Sequence, residues 1–567
     1  MLTKLTVRNF KQFEDVTVEL DNVVVFVGPN DSGKTTALQA LALWELGLRR
    51  WRERWGMVPT DDLQRPGVSI NRLDLLSVPV GHANLLWRGL RTREVNRREG
   101  GTANVRIEIV VEGIATGGKD WVCGLEFDYA NPELFYCRPL RTSPDGKTRM
   151  PIPSEAYDEQ VAFLPPMSGL ASTEAMLQPG TVNVLLGQGR TAEVLRNLCF
   201  DVFLNHRNLW NEVLVPRIEK TFGATILIPL YNPERGEITL QYKDAYMPNL
   251  DLDLSSSGRG FQQTLLLTVY MLLHPNSIIL LDEPDAHLEI LRQRQIYQAI
   301  TETAAQQNSQ LLIATHSEVV LNEAGERHSV TAFVGRPHRI DGRGNQVAKA
   351  LAEIGFEHYL QAELTGWVLY LEGSTDLSIL QAFARQLQHP ALNALERPFV
   401  HYVGNQPMQA RQHFWGLREA CPHLKAYALF DRLERGLPAD TYVDLHEHTW
   451  TQREIENYFC TAEVPVRWAA SQFPLFRDFM VDLVEEIEAV LQRANLGSPW
   501  DGNMKVSERF FELLFRDFAE KTGISVRLPK SDYHFLVEYI QPEEIDPEVT
   551  TVLDAIAEIA SSAVTPR

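Results

Sequence analysis

Paired cysteines, long apolar runs and heptad repeats are all missing from this chain, and each absence excludes a class. The five cysteines, Cys123, Cys137, Cys199, Cys421 and Cys460, are scattered singly, with no Cys-x-x-Cys pair. That argues against a zinc site and predicts buried, reduced thiols. No apolar stretch approaches the roughly 18 to 20 residues a membrane span needs. The opening MLTKLTVRNF lacks an apolar signal core. A cytoplasmic protein with no membrane partner is therefore expected. There is no sustained heptad pattern, hence no long coiled coil, and no internal repeat or low-complexity tract. Positive charge is also short: 54 Lys and Arg stand against 74 Asp and Glu, a formal net charge of −20. That excludes coating of nucleic acid by bulk electrostatics but leaves room for a local basic groove. Two arginine groups qualify, Arg49, Arg50, Arg52 and Arg54 with Trp51 and Trp55, and Arg88, Arg91, Arg93, Arg97 and Arg98 with Trp87. Either they hold phosphates and stack bases, or they form a solvated, salt-bridged helix face.

What is present is ordinary for a globular α/β protein: 44% hydrophobic and 23% charged residues over 567 positions, a length that favours two domains. Residues 5–20 alternate like a small β-meander. Val23-Val24-Val25-Phe26-Val27 is a continuous apolar run, which suits a strand buried on both faces. Residues 49–190 are less regular, with strand-like segments at 105–111 and 121–127, and read as an insertion in the first domain (1–335). A linker (336–365), a second domain (366–545) and an amphipathic C-terminal helix (546–567) complete the expected organisation.

The loop Gly28-Pro29-Asn30-Asp31-Ser32-Gly33-Lys34-Thr35 fits GxxxxGK(S/T) and lies between that apolar run and a helical pattern. In this context the backbone N–H groups turn inward around phosphate oxygens. Lys34 would reach the β- and γ-phosphates, the Thr35 hydroxyl would ligate Mg²⁺, and Thr36 belongs to the same nucleotide-binding turn. The apolar residues 278–281 deliver Asp282 and Glu283, one acid for the Mg²⁺ shell and one to polarise the attacking water, because hydrolysis of ATP needs mostly positioning. Residues 311–314 repeat the plan and end in Thr315-His316-Ser317, which puts His316 near the γ-phosphate. Between these lies Leu254-Ser255-Ser256-Ser257-Gly258-Arg259-Gly260-Phe261-Gln262-Gln263. Ser256, Ser257 and Gly258 head a predicted helix, and the alternative to a ligand role is a simple Ser-rich cap.

The order of these elements resembles the ABC-class ATPases of the RecF, SMC and OLD type. The resemblance rests on the meander, GPNDSGKTT, LLDEPDAHLE and IATHS, and covers about residues 1–48 and 195–325. It implies that the Ser-Gly loop acts as a signature loop contacting ATP bound by another subunit, so that two heads sandwich the nucleotide in a homodimer or higher homo-oligomer. In the second domain, Leu369-Tyr370-Leu371-Glu372-Gly373-Ser374-Thr375-Asp376, Tyr427-Ala428-Leu429-Phe430-Asp431-Arg432 and Arg453-Glu454-Ile455-Glu456-Asn457-Tyr458-Phe459 are acidic segments, read as three carboxylate clusters at strand ends. Convergent carboxylates there could hold divalent metal for phosphodiester cleavage. The set resembles the Toprim domain of OLD-family nucleases. That resemblance implies Glu372, Asp376, Asp431 and Glu456 as ligands of Mg²⁺ or Mn²⁺, and Lys530 as a late lysine acting on the phosphate. One departure is clear: the DxD motif reads Asp431-Arg432-Leu433, so its second acid is missing.

The expectation is an α/β protein, an ABC-type ATPase head (a mixed sheet with flanking helices and an insertion) followed by a Toprim-like domain. It would bind and hydrolyse ATP and control a DNA nuclease, with a role in anti-phage defence implied by the resemblance. Two alternatives stay open. One is an ATPase sensor whose degenerate Toprim domain regulates a separate effector; the other is a RecF-like DNA-repair ATPase.

Overall fold

A computed structural model of the chain describes all residues except 57–64, 97–100, 116, 144–147, 168, 245, 287, 326, 341–354, 435, 438–441, 525–527 and 564–567. Arg97 and Arg98 of the second arginine group therefore lie outside the described residues, as does His287. The chain divides into two compact units, Met1–Ala348 and Lys349–Arg567.

The first unit holds two six-stranded sheets. Strand β1 (Leu2–Phe10) pairs antiparallel with β2 (Phe13–Glu19), and the apolar run forms β3 (Val23–Val27). Helix α1 (Lys34–Trp55) follows the phosphate loop. Next come β4 (Val68–Asn71), β5 (Ile107–Ile114), β6 (Asp120–Asn131) and β7 (Leu134–Pro139), then β8 (Val161–Leu164). Helix α2 (Arg259–Leu273) leads to β9 (Ile278–Asp282), α3 (Ile290–Gln306), β10 (Gln310–Thr315), β11 (Ser329–Ala332) and β12 (His338–Arg339). One sheet is antiparallel, in the order β2-β1-β5-β6-β7-β4. The other runs β8-β9-β10-β3-β11-β12, parallel except for its last pair. Its central strands are buried end to end, as their unbroken apolar sequence requires. Helix α1 contacts strands of both sheets and buries Trp44 and Trp51 completely.

Within residues 49–190, β5 zips onto β1, β6 and β7 extend the same sheet, and β8 joins the parallel sheet against β9. The reason is pairing, since β1 presents an edge that only a distant strand can satisfy. Residues 336–365 are not only a linker, because β12 closes on β11 and a helix, α4 (Phe356–Thr365), forms before the second unit's sheet. The expected amphipathic C-terminal helix forms. Designated α7 (Pro547–Ser562), it buries Val549, Val552, Leu553, Ile556 and Ile559 in the second unit's core. The first arginine group takes the blander of its two readings. Arg49 pairs with Glu45 and Glu53, Arg50 with Glu53 and Asp74, and Arg52 donates to the Tyr157 carbonyl.

The second unit holds a parallel four-stranded sheet in the spatial order Val400–Tyr402, Trp367–Leu371, Lys425–Phe430, Leu445–Thr449. In chain order it runs α4, β13 (Trp367–Leu371), α5 (Ser374–Gln386), β14 (Val400–Tyr402), α6 (Pro407–Ala420), β15 (Lys425–Phe430) and β16 (Leu445–Thr449), before helical segments that end in α7. Among the described residues no helix is long and apolar enough to cross a membrane.

Candidate functional site

The register of the parallel sheet assembles the first site. Asp282 pairs with Ala314 and Thr315 with Val27, so β9, β10 and β3 end level with one another. The acid pair, His316 and the phosphate loop thus leave the sheet along one edge. In the loop, Gly28 and Gly33 have positive φ of 155° and 107°. A Cβ on Gly28 would lie 2.7 Å from the Phe333 carbonyl, and one on Gly33 2.5 Å from the Gln12 amide nitrogen, so both positions need glycine. Asp31 also takes a left-handed φ, 61°. Asn30 is exposed, whereas Thr36 is buried in the first helical turn.

Lys34 is buried and folded over the loop, donating to the carbonyls of Gly28 and Pro29 at 2.7 Å each. Burial lowers its pKa, against the pull of Glu283, Asp282 and Asp31. The Ser32 hydroxyl is buried with no partner, an open donor inside the phosphate loop. The Thr35 hydroxyl faces both Asp282 oxygens at 3.0 Å. Burial raises Asp282 to about 6, opposed by that hydrogen bond. Threonine and aspartate oxygens at one edge form a hard donor set that suits Mg²⁺. Glu283 stands in left-handed backbone, φ 50°, anchored by its N–H to the Ala314 carbonyl at 2.8 Å. Such a conformation costs about 1–2 kcal/mol in a non-glycine residue. It carries the carboxylate to within 3.4 Å of His316 Nδ1. Behind them, buried Asp285 accepts a 2.7 Å bond from Thr315, which in turn accepts from the Ser317 N–H. Asp285 was noted in the sequence only as part of a motif string; its role as a strut is visible only here.

The Ser-Gly loop lies at the exposed N-terminus of α2. The Ser256 and Ser257 hydroxyls turn back onto the Asp253 and Leu254 carbonyls at 2.6 and 2.7 Å, while Gly258 stands at the N-cap with no side-chain cap. The Phe261 N–H bonds back to the Gly258 carbonyl at 3.0 Å, and no side chain caps the N–H groups of Arg259 and Gly260 before it. A residue that the motif reading missed holds this loop. Asp253 accepts from the Ser255 N–H at 2.8 Å and from the fully buried Arg196 at 3.0 Å, while Arg196 also donates to the Ala171 carbonyl at 3.0 Å. Asp253→Ala should cost about 2 kcal/mol, from a lost cap and a buried guanidinium left short of a partner. Chemical denaturation should show that loss, with ATPase turnover reduced and ATP affinity within about twofold of wild type.

In the second unit the acids sit where β13 and β15 end. Glu372 follows β13, and Asp376 in the first turn of α5 accepts from the N–H groups of Glu372 and Gly373 at 3.1 and 3.2 Å. Asp431 follows β15, and Glu456 is buried in the 3₁₀ turn Ile455–Phe459. These four groups feel one another. Burial pushes Asp431 well above the usual carboxylate range, and Glu372, Asp376, Glu456 and Glu454 push it further. Glu456 is raised by burial and Glu454 and pulled back by Lys530, which places Lys530 beside the cluster. Their carboxylates do not close within 4.8 Å of one another as a set of three. Two further residues were missed by motif reading. Glu454 is buried and bound to the Ser507 N–H and hydroxyl at 2.7 and 3.0 Å. Lys505 is lowered by burial but raised overall by Glu454, Glu508, Glu372 and Asp431, and its ammonium lies 3.7 Å from the Glu508 carboxylate. Arg432 turns to the Thr451 carbonyl and Asn503 rather than to Asp431. Mutually repelling carboxylates, Glu456 buried and the others partly so, fit a divalent cation, which would restore their ionised form.

Residues 1–44 match the family "AAA ATPase domain", and residues 234–322 match "AAA domain, putative AbiEii toxin, Type IV TA system". The chain is 22% identical over 342 residues to an OLD nuclease of Thermus scotoductus (strain ATCC 700910 / SA-01), an alignment covering 56% of this chain and 59% of that one. The chain thus spans well under two thirds of this relative. Among solved structures, an SMC head domain from Thermotoga maritima aligns with 60% of this chain and 98% of its own at 16% identity and a TM-score of 0.31. An SMC head from Pyrococcus furiosus, bound to the C-terminal domain of ScpA, aligns with 62% and 99% at 14% identity and a TM-score of 0.35.

Proposed function

We propose, taking this chain as an ABC-type ATPase of the OLD nuclease type, that it binds and hydrolyses ATP between two heads and uses that cycle to govern a metal-dependent DNA nuclease in its second unit. The observation that carries the first half is the common edge of β3, β9 and β10. One loop to hold phosphate, one acid beside a threonine for Mg²⁺, and a second acid beside a histidine emerge there together.

In this reading the loop N–H groups, Ser32 and Lys34 bind the triphosphate, and Lys34 gives up its two carbonyl bonds to do so. Thr35 and Asp282 would hold Mg²⁺, which neutralises phosphate charge. Glu283 orients and polarises the attacking water, and His316 fixes the Glu283 carboxylate. Ser256, Ser257 and Gly258 complete the γ-phosphate environment of a second copy, which makes the homodimer part of the chemistry. Glu372, Asp376, Asp431 and Glu456 would hold Mg²⁺ or Mn²⁺, which supplies charge neutralisation for phosphodiester cleavage, and Lys530 faces the phosphate. A role in anti-phage defence is what the family resemblance implies.

Plasmid nicking with Mg²⁺ or Mn²⁺ tests the nuclease half. Glu372→Ala should lower it by about 100-fold or more, and nicking unchanged in that variant would remove these acids from the reaction. A second reading is favoured by one observation: Leu433 occupies the place of an acid, and Arg432 is tied elsewhere. Under that reading the second unit regulates a separate effector protein, and no metal supports nicking while ATP hydrolysis persists. A RecF-like repair role would show instead as ATP-dependent duplex binding without cleavage.

A further inference from the structure

Three histidines of the second unit, apart from the acidic cluster, meet on one face of its sheet. His401 lies on edge strand β14, in register with Tyr370 of β13. His358 comes from α4 and His413 from α6, helices that pack on each other. One ring nitrogen from each of His358, His401 and His413 falls within 4.8 Å of the other two. His358 Nδ1 is 2.9 Å from His413 Nε2, and the His401 and His413 rings stack with centroids 3.9 Å apart. The Tyr370 hydroxyl is 2.9 Å from His413 Nδ1. Phe399 packs against His358 and His413.

We propose that His358, His401 and His413 form a three-histidine site for one divalent transition ion of the zinc class. The arrangement has the parts such a site needs. Three imidazoles leave a fourth position open, as in zinc centres with three protein ligands. Tyr370 holds His413 Nδ1, which leaves Nε2 to face the other two rings, and an outer partner of this kind fixes both tautomer and ring orientation. Metal–nitrogen bonds of about 2.0–2.1 Å set tetrahedral nitrogens about 3.4 Å apart. The His358–His413 pair therefore opens by about half an ångström when an ion enters, and the His401 ring tilts out of its stack. The donor type also separates this site from the acids at the strand ends: imidazole suits Zn²⁺, Co²⁺ or Ni²⁺, whereas clustered carboxylates suit Mg²⁺ or Mn²⁺. An ion here would clamp α4 and α6 to the sheet edge.

The test uses the full chain, stripped with a chelator and titrated with Co²⁺. Wild type should bind one equivalent with the intense visible absorption of low-coordinate cobalt, and Zn²⁺ should displace it. His401→Ala and His358→Asn should each weaken that binding by about 100-fold or more. Glu372→Gln, which alters only the acids, should leave the spectrum intact. A band that survives both histidine variants, or one lost in Glu372→Gln, overturns the assignment, as does binding with weak, octahedral absorption alone. X-ray absorption of the zinc-loaded wild type gives a reading independent of variant folding. Three imidazole nitrogens around the metal support the site, and an all-oxygen shell refutes it.

Discussion

Glu283→Gln should bind ATP with wild-type affinity, hydrolyse it about 1,000-fold more slowly, a barrier increase of about 4 kcal/mol, and accumulate as a dimer. The substitution keeps the length and shape of the side chain while removing its charge and its ability to accept a proton. Nothing that holds the triphosphate changes: Lys34, Ser32, Thr35 and Asp282 are untouched. What is lost is the carboxylate placed 3.4 Å from His316 by a residue held in left-handed backbone. That conformation is retained only because the surrounding strands over-determine it, and strained backbone of this kind concentrates where chemistry is done. If two heads close on ATP and part after hydrolysis, blocking hydrolysis leaves them closed. Single-turnover kinetics give the rate, and light scattering after size exclusion gives the mass. Turnover at the wild-type rate would show that the water is positioned by another group, and His316→Ala would then be the next variant to measure.

Lys34→Ala should lower ATP affinity by about 100-fold or more, equivalent to about 2.7 kcal/mol, with little change in thermal stability. The two effects separate because of where the ammonium sits. It is buried against two loop carbonyls at 2.7 Å, and burial already depresses its pKa, so the folded state pays a desolvation cost to hold it there. Removing it relieves that cost and leaves two carbonyls that water can reach. The triphosphate, by contrast, loses the one cation that the loop supplies. Titration with a fluorescent ATP analogue measures the affinity, and a thermal melt without nucleotide measures the stability. Unchanged affinity would mean that the loop N–H groups alone hold the phosphates. A melt lowered by many degrees would mean that Lys34 is chiefly a structural tie.

The nucleotide edge was legible because its information is local. An apolar run, a glycine-bounded loop and a helix fit within residues 23–55, and the Asp282-Glu283 and His316 segments each follow their own apolar run. The support beneath them was not legible. Arg196 meets Asp253 across 57 positions, and no periodicity marks either one. The pairing within the first unit was not legible for a similar reason: β5 and β7 alternate like any half-exposed strands, and nothing local says that β5 pairs with β1. In the second unit Glu372, Asp376, Asp431 and Glu456 could each be found as acids near strand ends, but their mutual repulsion, and the approach of Lys505 and Lys530, depend on the packing of distant turns.

The sequence by itself determined the identity and order of the loops proposed to handle phosphate, because each is a strand end followed by a turn whose chemistry lies within a few residues. Only the tertiary structure decided what stands beside them. Parallel pairing brought three separate strand ends level, a distant ion pair braced the Ser-Gly loop, and packing of two helices on an edge strand brought His358, His401 and His413 together. Hydrophobic pattern specifies which face of an element is buried, but not which element covers it. That choice is made by the whole core at once, and the sites built across it appear only when the core has closed.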